Sequence, residues 1–219
     1  MEVIVIVTES PVKKMRSWRL FSGFASCLFL VLLPIAGAGG ARVQAQVRLL
    51  VLPESDFRIE GRSNQSDFEV HSTVITGWLE LSDADDPLSV TGLSLTVPSE
   101  GIKSDQGLIM NRIMYGSLDV DKHPNITFEM VSAWVPDVVS DSLNLVVNGL
   151  LTLTGTTKEV ALELLAASDS TGSSHYVGSF PLTMTDFGME TPSLMFGQLR
   201  VHRDIQIHFD LFFGPESEE

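Results

Sequence analysis

Five histidines, His71, His123, His175, His202 and His208, are the residues of this chain best suited to hold a metal ion or move a proton. None has a cysteine partner or the H-E-x-x-H spacing that puts two imidazoles on one helix face beside a carboxylate. His202 and His208 share the parity opposite to Ile205, Ile207 and Phe209, so in a strand both point to solvent. Asp186-Phe187-Gly188 has the composition of the kinase metal-binding triplet, but no Gly-rich loop, strand lysine or catalytic-loop motif accompanies it. Asp186 therefore reads as a turn residue. No G-x-S-x-G elbow occurs, and Cys27, the single cysteine, lies in an N-terminal leader, so thiol catalysis and disulfides are excluded from the remainder. No catalytic residue, metal site or cofactor site is identified, and the reading is that the chain is not an enzyme. Asn64-Gln65-Ser66 and Asn125-Ile126-Thr127 match the glycosylation triplet at a frequency that chance supplies.

The informative constellation is apolar and soft. Met110, Met114, Met130, Met184, Met189 and Met195 fall in or beside one helix and several alternating apolar rows. Methionine fits irregular apolar shapes, in filled cores and at permissive binding surfaces alike.

The elements that carry these residues are mostly strands. Val47–Leu52 and Phe57–Ile59 read as the first two. Phe68–Val70 and Thr73–Leu81 read as one broken strand, with a bend at Gly77-Trp78, and Ser89–Val97 alternates cleanly. Ser104–Leu118 is the one predicted helix, capped by Ser104 or Asp105. Ile126–Trp134 is a strand with Ile126, Phe128 and Met130 on one face. Asn148–Leu164 is written as a hairpin, its Leu, Val and Thr runs flanking a short loop at Gly155-Thr156-Thr157. Tyr176–Met184 follows a polar loop at Ser168–Ser174, and Thr191–Gln198 reads as irregular. Leu199–Phe213 closes the chain with Val201, Arg203, Ile205, Ile207, Phe209, Leu211 and Phe213 in phase. Antiparallel strands with one helix and no βα alternation specify an all-β domain, leaving a sandwich and a closed barrel as alternatives.

Charge and the N-terminus bound the partners and the compartment. The 219 residues carry a formal charge of −14, but the first 45 are net +3, so the rest carries −17. Such a surface repels nucleic acid, which excludes it as a partner. Lys13 to Arg19 form a basic region, Leu20 to Ile35 an apolar one, and Val43-Gln44-Ala45 a small-residue cleavage site before Gln46. The expectation is a signal peptide over 1–45, with Met15 as an alternative start, and export to the periplasm or extracellular space. An uncleaved anchor is the competing reading; Pro34 and the small-residue tail argue for cleavage. The domain then spans 46–215, with an acidic tail at 216–219.

Three motifs recur in order: Lys122-His123-Pro124-Asn125-Ile126-Thr127-Phe128, Gly149-Leu150-Leu151-Thr152-Leu153 running on through Gly155 and Lys158 to Leu162, and Asp186-Phe187-Gly188-Met189. In this order the chain, from about Phe57 to Phe213, resembles the YceI-like family of secreted bacterial proteins. The resemblance implies an antiparallel lipocalin-like barrel of about eight strands that binds polyisoprenoids. It selects the barrel over the sandwich, and a barrel of that size has room for one ligand. On this reading the apolar lining comprises Phe128, Met130, Leu145, Val147, Leu162, Leu164, Phe180, Leu182, Met184, Ile205, Ile207 and Phe209. Ile109, Ile113 and Met114 on the helix pack near one mouth. The expected partner is a hydrophobic small molecule, a long-chain isoprenoid or related lipid, and the reading leaves room for a homodimer. A neutral head group is favoured, because only nine basic residues follow the leader and they are scattered; folding would have to gather Arg58, Arg112 and Lys122 to receive a diphosphate. The rival function is a non-binding extracellular interaction domain with a filled core.

Overall fold

Period-two alternation along most of the chain produces the strands, and the way two of them break decides how the sheet closes. The computed structural model describes residues 46–136, 143–168, 173–194 and 198–215. The expected signal peptide at 1–45, Met195, the tail at 216–219 and the centre of the polar loop at 169–172 lie outside the described residues. The strands are β1 (Val47–Val51), β2 (Asp56–Ser63), β3 (Asp67–Ser72), β4 (Thr76–Leu81), β5 (Val90–Pro98), β6 (Asn125–Trp134), β7 (Asn144–Leu153), β8 (Thr156–Ser168), β9 (Ser174–Thr183), β10 (Ser193–Leu194) and β11 (Leu199–Gly214); α1 is Leu108–Leu118.

Neighbouring strands follow the order β1-β4-β5-β6-β7-β8-β9-β11, and β11 returns to β1 through Leu50↔Gly214 and Val51↔Phe213. The earlier part of the same β11 edge pairs with β2, and β3 pairs with β2. Thus β1 and β2 are two halves of one kinked strand, β3 and β4 two halves of its partner, and the ring is a closed antiparallel barrel of eight strands.

Serines set both kinks. Ser55, 1% exposed, accepts the Phe212 N–H at 3.0 Å and donates to the Phe212 carbonyl at 3.2 Å, tying the first kink to β11. Ser72 accepts the Val74 N–H at 3.1 Å and turns the chain at the second. The break in the second broken strand therefore falls at Thr73–Ile75, not at Gly77-Trp78. Gly77 lies inside β4, where a Cβ would stand 2.1 Å from the Ser94 carbonyl oxygen.

The hairpin at β7–β8 pairs Leu145↔Leu164, Val147↔Leu162 and Leu153↔Thr156. Its two-residue turn is Thr154-Gly155, one position earlier than the sequence suggests, with φ of 48° and 74°. Two positive φ values give the turn whose twist matches the flanking strands. Thr154 is held in this conformation by its hydroxyl, which donates to the Phe187 carbonyl.

Two phase shifts alter the expected rows. A bulge between Met130 and Ser132 moves the inward position of β6 on to Ala133. A second irregularity, between Val201 and Ile205, turns Arg203 outward beside Asp204, so Arg203 leaves the row assigned to it. The helix begins at Leu108 rather than Ser104. Ser104 is buried and its hydroxyl accepts the Gln106 N–H at 3.1 Å, while its own N–H donates to Asn111 at 2.7 Å. These bonds shape a turn ahead of the helix, and Gly107, at φ 97°, occupies the cap position.

Candidate functional site: an apolar cavity beneath the helix

One end of the barrel is a packed floor. Tyr176 is 2% exposed, meets Phe213 edge-on at 5.8 Å between ring centres, and donates its hydroxyl to the Pro87 carbonyl at 2.7 Å. Burial pushes its phenol well above the usual tyrosine range. Leu145 and Val147 belong to this floor, at 1% and 0% exposure, and do not line the apolar cavity above it; Met130 packs half-buried against the same cluster.

Above the floor is a cavity of about 90 Å³. Of the residues expected inside, Phe128, Leu162, Leu164, Phe180, Leu182, Ile205, Ile207 and Phe209 line it. The alternation that placed them also reaches Leu151, Leu153 and Val160, which share the rows of Val147 and Leu162 and complete the same wall. Phe57, Ile59 and Ile75 line it too; the kinks that bring them there left little to read in the sequence.

A second cavity of about 70 Å³ lies beneath α1, between the helix and the β2–β3–β11 end of the barrel. The helix turns Met110, Ile113, Met114, Ser117 and Leu118 toward it, the spacing of one helical face. Met184 lines this second cavity rather than the first, because the strand ends at Thr183 and Met184 opens a 3₁₀ turn, Met184–Phe187. Ile109 does not pack at the mouth: it is 76% exposed. With the helix starting at Leu108, its first turn projects beyond the barrel rim and both Leu108 and Ile109 face solvent.

Among the described residues no charged side chain lines either cavity, and Thr127 and Ser117 are the polar contributors. Arg58, Arg112 and Lys122 do not gather at a mouth. Arg58 lies on the outer face 3.7 Å from Glu60, Lys122 is paired with Asp119 at 2.7 Å, and Arg112 is exposed on the helix. The histidines are likewise external or peripheral. His202 is exposed, whereas His208 is half-buried on the outer face, 3.5 Å from Glu60. His175 pairs with Asp210 and stacks on Phe212, and His123 covers Gly155. No group of three or more potential metal ligands forms among the described residues. This arrangement can shelter hydrocarbon.

The geometry has counterparts among solved structures. Burkholderia cenocepacia BcnA is similar at a TM-score of 0.60 and 19% identity, covering 74% of this chain and 98% of that one. A polyisoprenoid binding domain from Saccharophagus degradans, implicated in plant cell wall breakdown, is similar at 0.57 and 12% identity, covering 77% and 98%. The YCEI protein of Campylobacter jejuni is similar at 0.55 and 15% identity, covering 70% and 87%. At these identities the likeness speaks for the fold alone. No curated protein matches the sequence. The model of the YceI-like domain, however, matches residues 44–213, which take in the helix and all the strands but for the last residue of β11, and the chain belongs to the YceI-like family.

Proposed function

We propose that this chain is an exported, non-enzymatic binding protein that holds the hydrocarbon of a neutral long-chain isoprenoid inside the barrel. The observation that carries the reading is the pair of cavities, stacked from the floor to the helix and walled by apolar side chains. The basic N-terminal sequence followed by an apolar run and small residues supports export. The Saccharophagus degradans domain supports the ligand class.

Energetics make chain length the determinant of affinity. Burying one CH₂ contributes about 0.8 kcal/mol, so a five-carbon unit gives roughly 3–4 kcal/mol. Association costs on the order of 4–15 kcal/mol, which one unit cannot offset and several can. Taken alone, the volume favours the rival reading of a filled core, since ligand pockets usually enclose about 300–1,000 Å³. Two features weigh against it. The cavities meet along a common wall, and the walls of the upper one carry Met110, Met114, Met184 and Met189, side chains that repack around an incoming chain with little strain.

Titrating a polyprenol and the matching diphosphate at low and high salt tests the reading. The alcohol should bind with little salt dependence. Tighter diphosphate binding that weakens steeply with salt would overturn the neutral head group, and binding of neither would overturn the site.

A further inference from the structure

The Asp186-Phe187-Gly188-Met189 motif does no chemistry, yet its geometry is specific. The Phe187 ring is 3% exposed and anchors the turn in the core, while its carbonyl accepts the Thr154 hydroxyl. Gly188, at φ 73°, reverses the chain, and the Met189 N–H donates to the Met184 carbonyl at 3.2 Å. The backbone is pinned on both sides, and the Met189 side chain is returned to the barrel interior at 7% exposure.

There it stands in the wall between the two cavities. Four residues line both: Ile59, Leu118, Met189 and Ile205. The two isoleucines are β-branched residues on paired strands, β2 and β11, with few rotamers open to them. Leu118 is 5% exposed at the last turn of α1, whose end is fixed by Asp119 in the left-handed region. Met189 alone is unbranched, has three rotatable bonds and lies outside any helix or strand.

We infer that Met189 is the gate between the mouth cavity and the barrel cavity, and that its swing admits a long apolar chain from beneath the helix to the floor. The inference rests on the binding reading above and adds to it the residue that controls entry. With the gate closed, neither chamber accommodates a chain of several units. With it open, the path follows β9 from Leu182 to Tyr176, roughly 20 Å of strand.

The test compares association of decaprenol with the full mature chain, its Met189→Ala variant and its Met189→Leu variant. Leucine keeps the volume and the fold but is branched and stiffer, so it separates gating from stability. Met189→Ala should speed association about tenfold and Met189→Leu should slow it about threefold, as expected when a side-chain motion limits entry. Thermal unfolding identifies any variant whose fold is impaired; for such an alanine variant the leucine variant decides. Rates within twofold of the parent for the folded variants overturn the gate while leaving the binding site intact. A parent chain that binds no prenol overturns both.

Discussion

Deleting Leu162 separates a binding barrel from a filled core. Leu162 is 6% exposed, lines the barrel cavity and faces Val147 across the β7–β8 pair. Leu162→Ala should cost about 2–5 kcal/mol, the transfer term of three carbons plus the enlarged void. At roughly 2–4 °C per kcal/mol for a domain of this size, Tm should fall by about 4–20 °C. Decaprenol at a hundredfold excess over its Kd should raise the parent by about 2.7 kcal/mol. In the variant, ligand carbons occupy the space of the deleted ones, each worth up to about 0.8 kcal/mol, so the ligand-induced gain should exceed the parent's by roughly 1–2 kcal/mol. Leu79→Ala is the control: Leu79 is 2% exposed in the floor and lines neither apolar cavity, so it should lose similar stability with no extra ligand gain. Thermal unfolding followed by far-UV circular dichroism, with and without decaprenol, reads all of these. A ligand-induced rise in Leu162→Ala equal to or below the parent's would refute the reasoning.

Other outcomes follow from the floor, the sheet and the leader. Tyr176→Phe leaves the Pro87 carbonyl without its donor and should cost about 1–3 kcal/mol in chemical denaturation at neutral pH. Because burial raises the Tyr176 pKa, the unfolded chain gives up this proton above about pH 10 while the folded chain keeps it. The stability that the shift contributes is therefore complete below pH 10 and lost as pH rises, and the phenylalanine variant should lack this component of the alkaline decline. Gly149→Ala would put a Cβ 2.3 Å from the Phe128 ring and 2.6 Å from the Glu129 carbonyl oxygen, so it should disrupt β6–β7 pairing and leave the protein insoluble or sharply destabilised on expression. Intact-mass analysis of secreted material should show an N-terminus near Gln46; a mature chain retaining Val3 to Val7 would contradict the leader assignment.

What was legible in the sequence was the phase of the long strands. Leu145, Leu162, Leu182 and Ile207 turn inward because strict alternation admits one register with an apolar face inside. In the sequence the barrel rests on family resemblance, since alternation is equally compatible with a sandwich. Local polar chemistry was harder to foresee. Ser55 and Ser72 look like ordinary loop residues until their long- and short-range hydrogen bonds place the kinks. Ser104 has the composition of a helix cap but spends its hydroxyl on Gln106, which delays the helix and leaves Ile109 exposed. Met189 is legible as part of a motif and of the methionine constellation; that it divides two cavities depends on Gly188 and on strands distant in sequence.

The central claim is tested most directly by asking what the barrel holds when it is isolated from a bacterium. The mature protein, purified without detergent from an isoprenoid-producing bacterium, would be extracted with organic solvent and the extract analysed by mass spectrometry. The expected result is a neutral polyisoprenoid in an amount comparable to the protein, lost on swapping Leu162 and Leu164 for bulkier side chains that fill the cavity. Protein that is lipid-free from such a source, or that carries only phospholipid or prenyl diphosphate, would contradict the account.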